Sequence, residues 1–128
     1  MCARILVIED NLANLQLFAY VLEAAGHTTI AARDGEAGLR AARDERPDLI
    51  LCDLVMPGMD GREVARRLKQ DPELRSIPLV AATAQAMIGD KKAVLAAGFD
   101  GYIAKPIDVA SLVIQLERFL APAPPGPP

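Results

Sequence analysis

A chain of 128 residues with 52% hydrophobic positions can bury one sizeable core and is not a disordered polymer. The formal net charge of −3 argues against an electrostatic nucleic-acid footprint; Arg66, Arg67 and Lys69 form the most basic cluster, and flanking acids make it read as a solvated helix face. No apolar run reaches the ~20 residues that span a bilayer, and Cys2 at the terminus and Cys52 inside an apolar run are badly placed for a bridge, which fits reduced thiols in a soluble cytoplasmic protein.

In chain order, Arg4–Ile8 is a short apolar strand that ends in Glu9-Asp10-Asn11. From Leu12 to Ala25 apolar residues recur at helical spacing, with Asn11 or Asp10 as cap and Gly26 as the residue that ends the helix. His27–Ala32 is a weaker, β-branched strand. Asp34-Gly35 opens a helix from Glu36 to about Glu45, which Gly38 weakens by about 1 kcal/mol relative to Ala. Leu49–Cys52 runs straight into Asp53 and is bounded by Pro57, Gly58 and Gly61, the pattern of a strand buried on both faces. Arg62–Gln70 is helical, and Pro72 stops it. Ile77–Ala82 is a fourth strand, ending at Thr83. A helix from Gly89 or Asp90 to Ala97 closes at Gly98, and Gly101–Ala104 is a fifth strand leading to Lys105-Pro106. Asp108 caps a last helix with the clearest apolar stripe, Val109, Leu112, Val113, Leu116, Phe119 and Leu120. Ala121–Pro128 is a Pro-rich tail, either disordered or a linker, outside the domain at 1–120.

Strands alternating with helices imply a parallel sheet covered by helices on both faces. In such a sheet ligands sit beyond the carboxyl ends of the strands. Glu9, Asp10, Asp53, Thr83 and Lys105 all follow their apolar runs at that end. Three carboxylates gathered there repel one another, and a hard divalent cation such as Mg²⁺ relieves the repulsion. An aspartate can attack phosphorus to form an acyl phosphate while a metal and an ammonium group neutralise the transferred oxygens. The blander alternatives are a cluster of solvated turn residues and a non-covalent Mg²⁺ or nucleotide site. No Gly-rich phosphate loop follows the first strand.

Over residues 3 to 120 the sequence resembles the receiver domains of bacterial two-component response regulators. The resemblance rests on Ile8-Glu-Asp-Asn11, Asp53-Leu-Val-Met-Pro-Gly-Met-Asp-Gly61, Ala82-Thr-Ala84 and Lys105-Pro106 in that order. The first of these and Thr83-Ala-Gln-Ala-Met87 are most similar to stand-alone cell-cycle receivers and receivers of hybrid kinases.

The resemblance implies a flavodoxin-like α/β fold, with strand order 2-1-3-4-5 and five helices. By it Asp53 accepts phosphate from a histidine kinase or phosphotransfer protein. Asp10 binds Mg²⁺ directly, Glu9 through water, and Val55 through its carbonyl. Thr83 and the Ala84 amide hold the phosphoryl group, Lys105 pairs with it, and the bond before Pro106 is cis. Tyr102 stands where the family keeps a switch aromatic that responds to Thr83; its plain reading is a half-buried strand tyrosine. The downstream protein target then meets the face made by the fourth helix, fifth strand and last helix. Val55 and Gln85 tune the acyl phosphate lifetime by family analogy, and the apolar Val55 predicts slow self-dephosphorylation; a packing role is its plain reading. The implied protein is a signalling relay with no metabolite turnover, no direct nucleic acid partner and no membrane partner. Its alternatives are a small Mg²⁺-dependent aspartyl-nucleophile phosphatase and a receiver module cut from a larger regulator or hybrid kinase.

Overall fold

In the computed structural model, which describes residues 2–56, 58–84 and 91–120, strands and helices alternate throughout. They are β1 (Arg4–Ile8), α1 (Leu12–Ala24), β2 (Thr28–Ala32), α2 (Gly35–Glu45), β3 (Leu49–Asp53), α3 (Gly61–Gln70), β4 (Leu79–Ala84), α4 (Lys91–Ala96), β5 (Gly101–Lys105) and α5 (Val109–Leu120). The strands form one parallel sheet in the order β2-β1-β3-β4-β5, as the resemblance implies.

Side chains alternate between the faces of a strand, and the core accordingly divides in two. Ile5, Val7, Leu49 and Leu51 meet Leu15, Phe18 and Leu22 of α1 and Leu112 and Leu116 of α5. Leu6, Ile8, Ile50 and Cys52 meet Leu39 of α2, Val64 and Leu68 of α3 and Val94 of α4. Every residue of β3 is buried, which explains why Leu49–Cys52 is apolar without alternation. Cys52 is a buried free thiol whose proton affinity is raised by that burial, and Cys2 is exposed and free.

Helix ends follow their caps. Asn11, Asp34 and Asp60 each accept a backbone N–H three residues ahead, at 3.0, 2.7 and 3.1 Å, and so begin α1, α2 and α3. Asp108 accepts the Ala110 N–H and the Ser111 hydroxyl at the head of α5. Gly38, which weakens a helix by propensity, is needed here for packing: a Cβ on it would lie 2.4 Å from Ile8 Cδ1.

Several boundaries differ from the sequence reading. The fourth strand starts at Leu79, two residues after the expected Ile77, because Ile77 closes a turn by donating its N–H to Leu74. The shift carries Thr83 into the strand, where the sequence placed it just after the end. His27 does not open the second strand. It is buried, accepts the Ala3 N–H on Nδ1 at 3.1 Å, and meets Glu117 of α5 at 2.9 Å through Nε2. The α1 helix ends at Ala24 with Ala25 as its cap, and α2 begins one residue early, at Gly35. The expected start of α4 at Gly89 or Asp90, the turn residue Pro57, Gln85 and the tail from Ala121 to Pro128 lie outside the described residues.

Candidate functional site

Parallel strands that start together also finish together, so their last residues share one rim. Asp53 and Lys105 fall on the same sheet face as Leu51 and Ile103 by alternation. From β5, Lys105 reaches back across the rim, with Nζ 2.9 Å from Glu9 Oε1 and 3.2 Å from Asp53 Oδ2. Glu9 is only 1% exposed and Asp53 7%. Carboxylate oxygens of Glu9, Asp10 and Asp53 lie within 4.8 Å of one another. The five residues read from the sequence thus separate into Glu9, Asp53 and Lys105 in direct contact, Asp10 with a carboxylate oxygen within 4.8 Å of those of Glu9 and Asp53, and Thr83 on the adjoining end of β4.

The backbone around Asp53 is tightly held. Val55 N donates to Asp53 Oδ1 at 3.2 Å, Leu54 N donates to the Ala82 carbonyl at 3.2 Å, and Gly61 N donates to the Leu54 carbonyl at 2.9 Å. A Cβ on Gly61 would stand 2.3 Å from the Asp53 carbonyl oxygen, so only glycine lets the chain return this close to the end of β3. The Val55 side chain is 66% exposed and packs in no core, which removes its plain packing role.

Burial acts first on Glu9, raising its carboxyl to about 6; the hydrogen bond from Lys105 pulls the other way, and Asp53 raises it further. Burial pushes the Lys105 ammonium down, but its bond to Glu9 and the charges of Asp53 and Glu9 leave its proton affinity raised. Two of the three carboxylates, Glu9 and Asp53, therefore share one ammonium, with Asp10 close beside them. Hard oxygen donors with excess negative charge suit a divalent cation of the Mg²⁺ type, so the residues present fit such an ion.

Thr83 is 2% exposed, and its Oγ1 has no hydrogen-bond partner among the described residues. A buried hydroxyl without a partner is costly unless a ligand satisfies it. Ala84 ends β4 opposite Lys105 in register, and Lys105-Pro106 is cis. Tyr102 is half-buried against the α2–α3–α4 side of the core and pairs with Ala81, two residues before Thr83 on the same strand face.

Two contributors were not read from the sequence. The Asn11 N–H donates to Glu9 Oε2 at 3.2 Å, a main-chain bond that residue type does not announce. Arg33 follows β2 and donates to the Asp10 carbonyl at 3.3 Å, so its role follows from strand order. The α3 cluster is as expected: exposed Arg66 and Arg67 both pair with Glu63, which lowers the Glu63 carboxyl to about 2.

The response regulator receiver domain family model matches residues 5–117. The chain is 43% identical over 119 residues to the polar-differentiation response regulator DivK of Brucella anthropi, covering 93% of this chain and 97% of that protein. Against DivK of Brucella ovis it is 42% identical, covering 96% and 100%. The chemotaxis response regulator CheY4 of Vibrio cholerae superposes with a TM-score of 0.87 at 28% identity, covering 94% of this chain and all of that one, 100%. The receiver domain of a Pseudomonas aeruginosa sensor histidine kinase, described with a magnesium ion coordinated in its active-site cleft, superposes with a TM-score of 0.85 at 33% identity, covering 94% and 98%. Among the described residues no helix is long and apolar enough to cross a membrane.

Proposed function

The chain belongs to the response regulator receiver domain family of two-component signalling, and from that premise we propose that Asp53 accepts a phosphoryl group from a phosphohistidine partner. The observation that carries this reading is the Lys105 ammonium in contact with both Asp53 and Glu9, in a rim where three carboxylates crowd together.

The roles follow from position. Asp53 Oδ attacks phosphorus, the bond from phosphorus to the donor nitrogen breaks, and an acyl phosphate forms while the histidine leaves. Lys105, already within 3.2 Å of the Asp53 carboxylate, neutralises charge on the transferred oxygens. Thr83 supplies its hydroxyl, which has no partner among the described residues, and the Ala84 N–H a main-chain donor, to the new phosphoryl group. Asp10 and Asp53, with the Val55 carbonyl, would hold Mg²⁺, and Glu9 would do so through water. Bound there, the ion supplies electrophilic stabilisation of the phosphoryl oxygens. The Asn11 N–H and Lys105 orient Glu9, and Gly61 keeps the segment after Asp53 close to the rim.

When Thr83 moves toward the phosphoryl group it frees space on the face it shares with Tyr102, and the aromatic ring turns into it. The α4–β5–α5 face then presents a changed surface to a downstream protein, a two-state element biased by one local charge. The phosphatase reading finds no support at Val55, where an exposed apolar side chain stands two residues after Asp53.

With Mg²⁺ and acetyl phosphate, intact-mass measurement is expected to find one added phosphoryl group on the wild-type protein and none on Asp53→Asn. Equal labelling of both overturns the assignment of Asp53.

A further inference from the structure

The last helix is held differently at its two ends. Over its first two turns, among the described residues, polar side chains bond only within the helix and its cap: Asp108 takes the Ala110 N–H and the Ser111 hydroxyl, and the Gln115 amide goes to Ser111. Val109 and Ile114 are exposed there. The last turn is tied to the rest of the domain twice. Glu117 Oε2 meets His27 Nε2 at 2.9 Å, and the Phe119 ring lies against the start of β5, where a Cβ on Gly101 would stand 2.3 Å from Phe119 Cζ. Both ties lie at the edge where the strands begin; a rise of about 3.3 Å per residue puts Gly101 about 13 Å from Lys105 at the rim. Leu112 and Leu116 bury one side chain in each half of the helix, so packing alone does not distinguish its ends.

His27 is itself firmly seated. Its side chain is fully buried, its N–H donates to the Leu22 carbonyl of α1 at 3.1 Å, and the next residue, Thr28, donates to the Ala3 carbonyl at 2.8 Å. Nδ1 accepts the Ala3 N–H at 3.1 Å. A main-chain N–H can only donate, so Nδ1 presents a lone pair and the ring proton sits on Nε2, facing the Glu117 carboxylate. The backbone thus chooses the tautomer, and that tautomer makes the tie to α5 a donor to a carboxylate, the stronger kind of hydrogen bond. We infer that His27 is a clamp that pins the far end of α5, so that a change arriving from the rim appears in this helix over residues 109–113 and not over 116–120. The inference rests on the switching face proposed above and adds to it the part of that face that stays still. An element opens where its ties are fewest.

Amide hydrogen exchange reads the clamp without phosphorylation. His27→Asn keeps an acceptor for the Ala3 N–H and loses the reach to Glu117. Exchange over residues 116–120 is expected to rise about tenfold, the effect of losing one hydrogen bond to a charged group, with β1 and β5 unchanged. Glu117→Leu is expected to do the same. Glu117→Gln, whose amide oxygen accepts the Nε2 proton, is expected to stay within about threefold of wild type. Ring nitrogen chemical shifts are expected to show Nε2 protonated and Nδ1 not. With Mg²⁺ and acetyl phosphate, exchange in wild-type α5 is expected to change over 109–113 alone, and in His27→Asn over 116–120 as well. Unchanged exchange over 116–120 in His27→Asn or Glu117→Leu, equal loosening by Gln and Leu, the opposite tautomer, or a labelling-induced change at 116–120 in the wild type overturns the inference. If His27→Asn fails to fold, the two variants of the partly exposed Glu117 decide the matter. Labelling that leaves α5 unchanged throughout refutes the switching face, while the clamp stands or falls on the exchange of the unlabelled protein.

Discussion

Replacing Glu9 by Gln tests whether the acidic rim is held at a cost to the fold. Burial, only partly offset by Lys105, raises the Glu9 carboxyl from 4.5 to about 6. The folded state therefore takes up a proton there more readily than the unfolded chain. Its contribution is most favourable below pH 4.5 and is lost as pH rises through about 6, the reverse of a carboxylate stabilised by a salt bridge. At about 1.4 kcal/mol for each tenfold change in proton affinity, the loss comes to about 2 kcal/mol at pH 8. Gln keeps an oxygen for the Asn11 N–H and removes the charge, while Lys105 retains Asp53 at 3.2 Å. Metal-free Glu9→Gln should then be more stable than wild type by about 2 kcal/mol at pH 8 and by almost nothing at pH 4.5. Urea unfolding in EDTA, followed by circular dichroism since the chain has no tryptophan, measures both gaps. Added Mg²⁺ should stabilise the wild type more than the variant and narrow the gap at pH 8. A gap that does not change with pH, or a variant less stable than wild type at pH 8, refutes the reasoning.

Thr83→Val removes a buried hydroxyl that has no partner among the described residues. Its metal-free stability should stay level or rise by about 1 kcal/mol in urea unfolding, whereas any phosphorylation-dependent change in Tyr102 fluorescence should disappear. Gly61→Ala sets a Cβ 2.3 Å from the Asp53 carbonyl oxygen and 2.8 Å from Leu54 Cα. Backbone on both sides leaves no soft neighbour, so a loss of about 3 kcal/mol or more is expected in the same assay. Val55→Asn places a polar group at an exposed position beside Asp53, able to orient an attacking water. The acyl phosphate should hydrolyse several-fold faster in a single-turnover decay measurement, and an unchanged or slower decay would contradict the role given to Val55.

The alternation of five apolar runs with five helical stripes was legible in the sequence because parallel strands are buried on both faces. The acids and the lysine at the run ends marked the rim for the same reason: polar residues that stop an apolar run at a strand's carboxyl end face one edge. What was hidden depended on contacts across the chain. Ile77 is apolar and β-branched, yet its N–H belongs to a turn with Leu74, so propensity placed the fourth strand two residues too early. Gly38 reads as a weakness in the second helix, and only the packing of Ile8 against it gives the reason for glycine. The reach of Lys105 to Glu9 as well as to Asp53 depends on the order of the strands, which the resemblance supplied and periodicity could not. His27, read as a strand residue, bridges the start of β1 to α5 through partners that have no local signature.

The Lys105–Glu9 contact joins residues 96 positions apart. The acidic side of the rim is complete once β3 has paired with β1, about midway through the chain, but its ammonium arrives only with the final strand. Glu9, Asp10 and Asp53 come from the first 53 residues, and the ammonium that faces Glu9 and Asp53 is delivered only by docking the last strand, a closure over most of the chain's length. A chain with β5 undocked keeps the three carboxylates on β3 and in the turn after β1 but lacks the ammonium that sits 2.9 Å from Glu9 and 3.2 Å from Asp53.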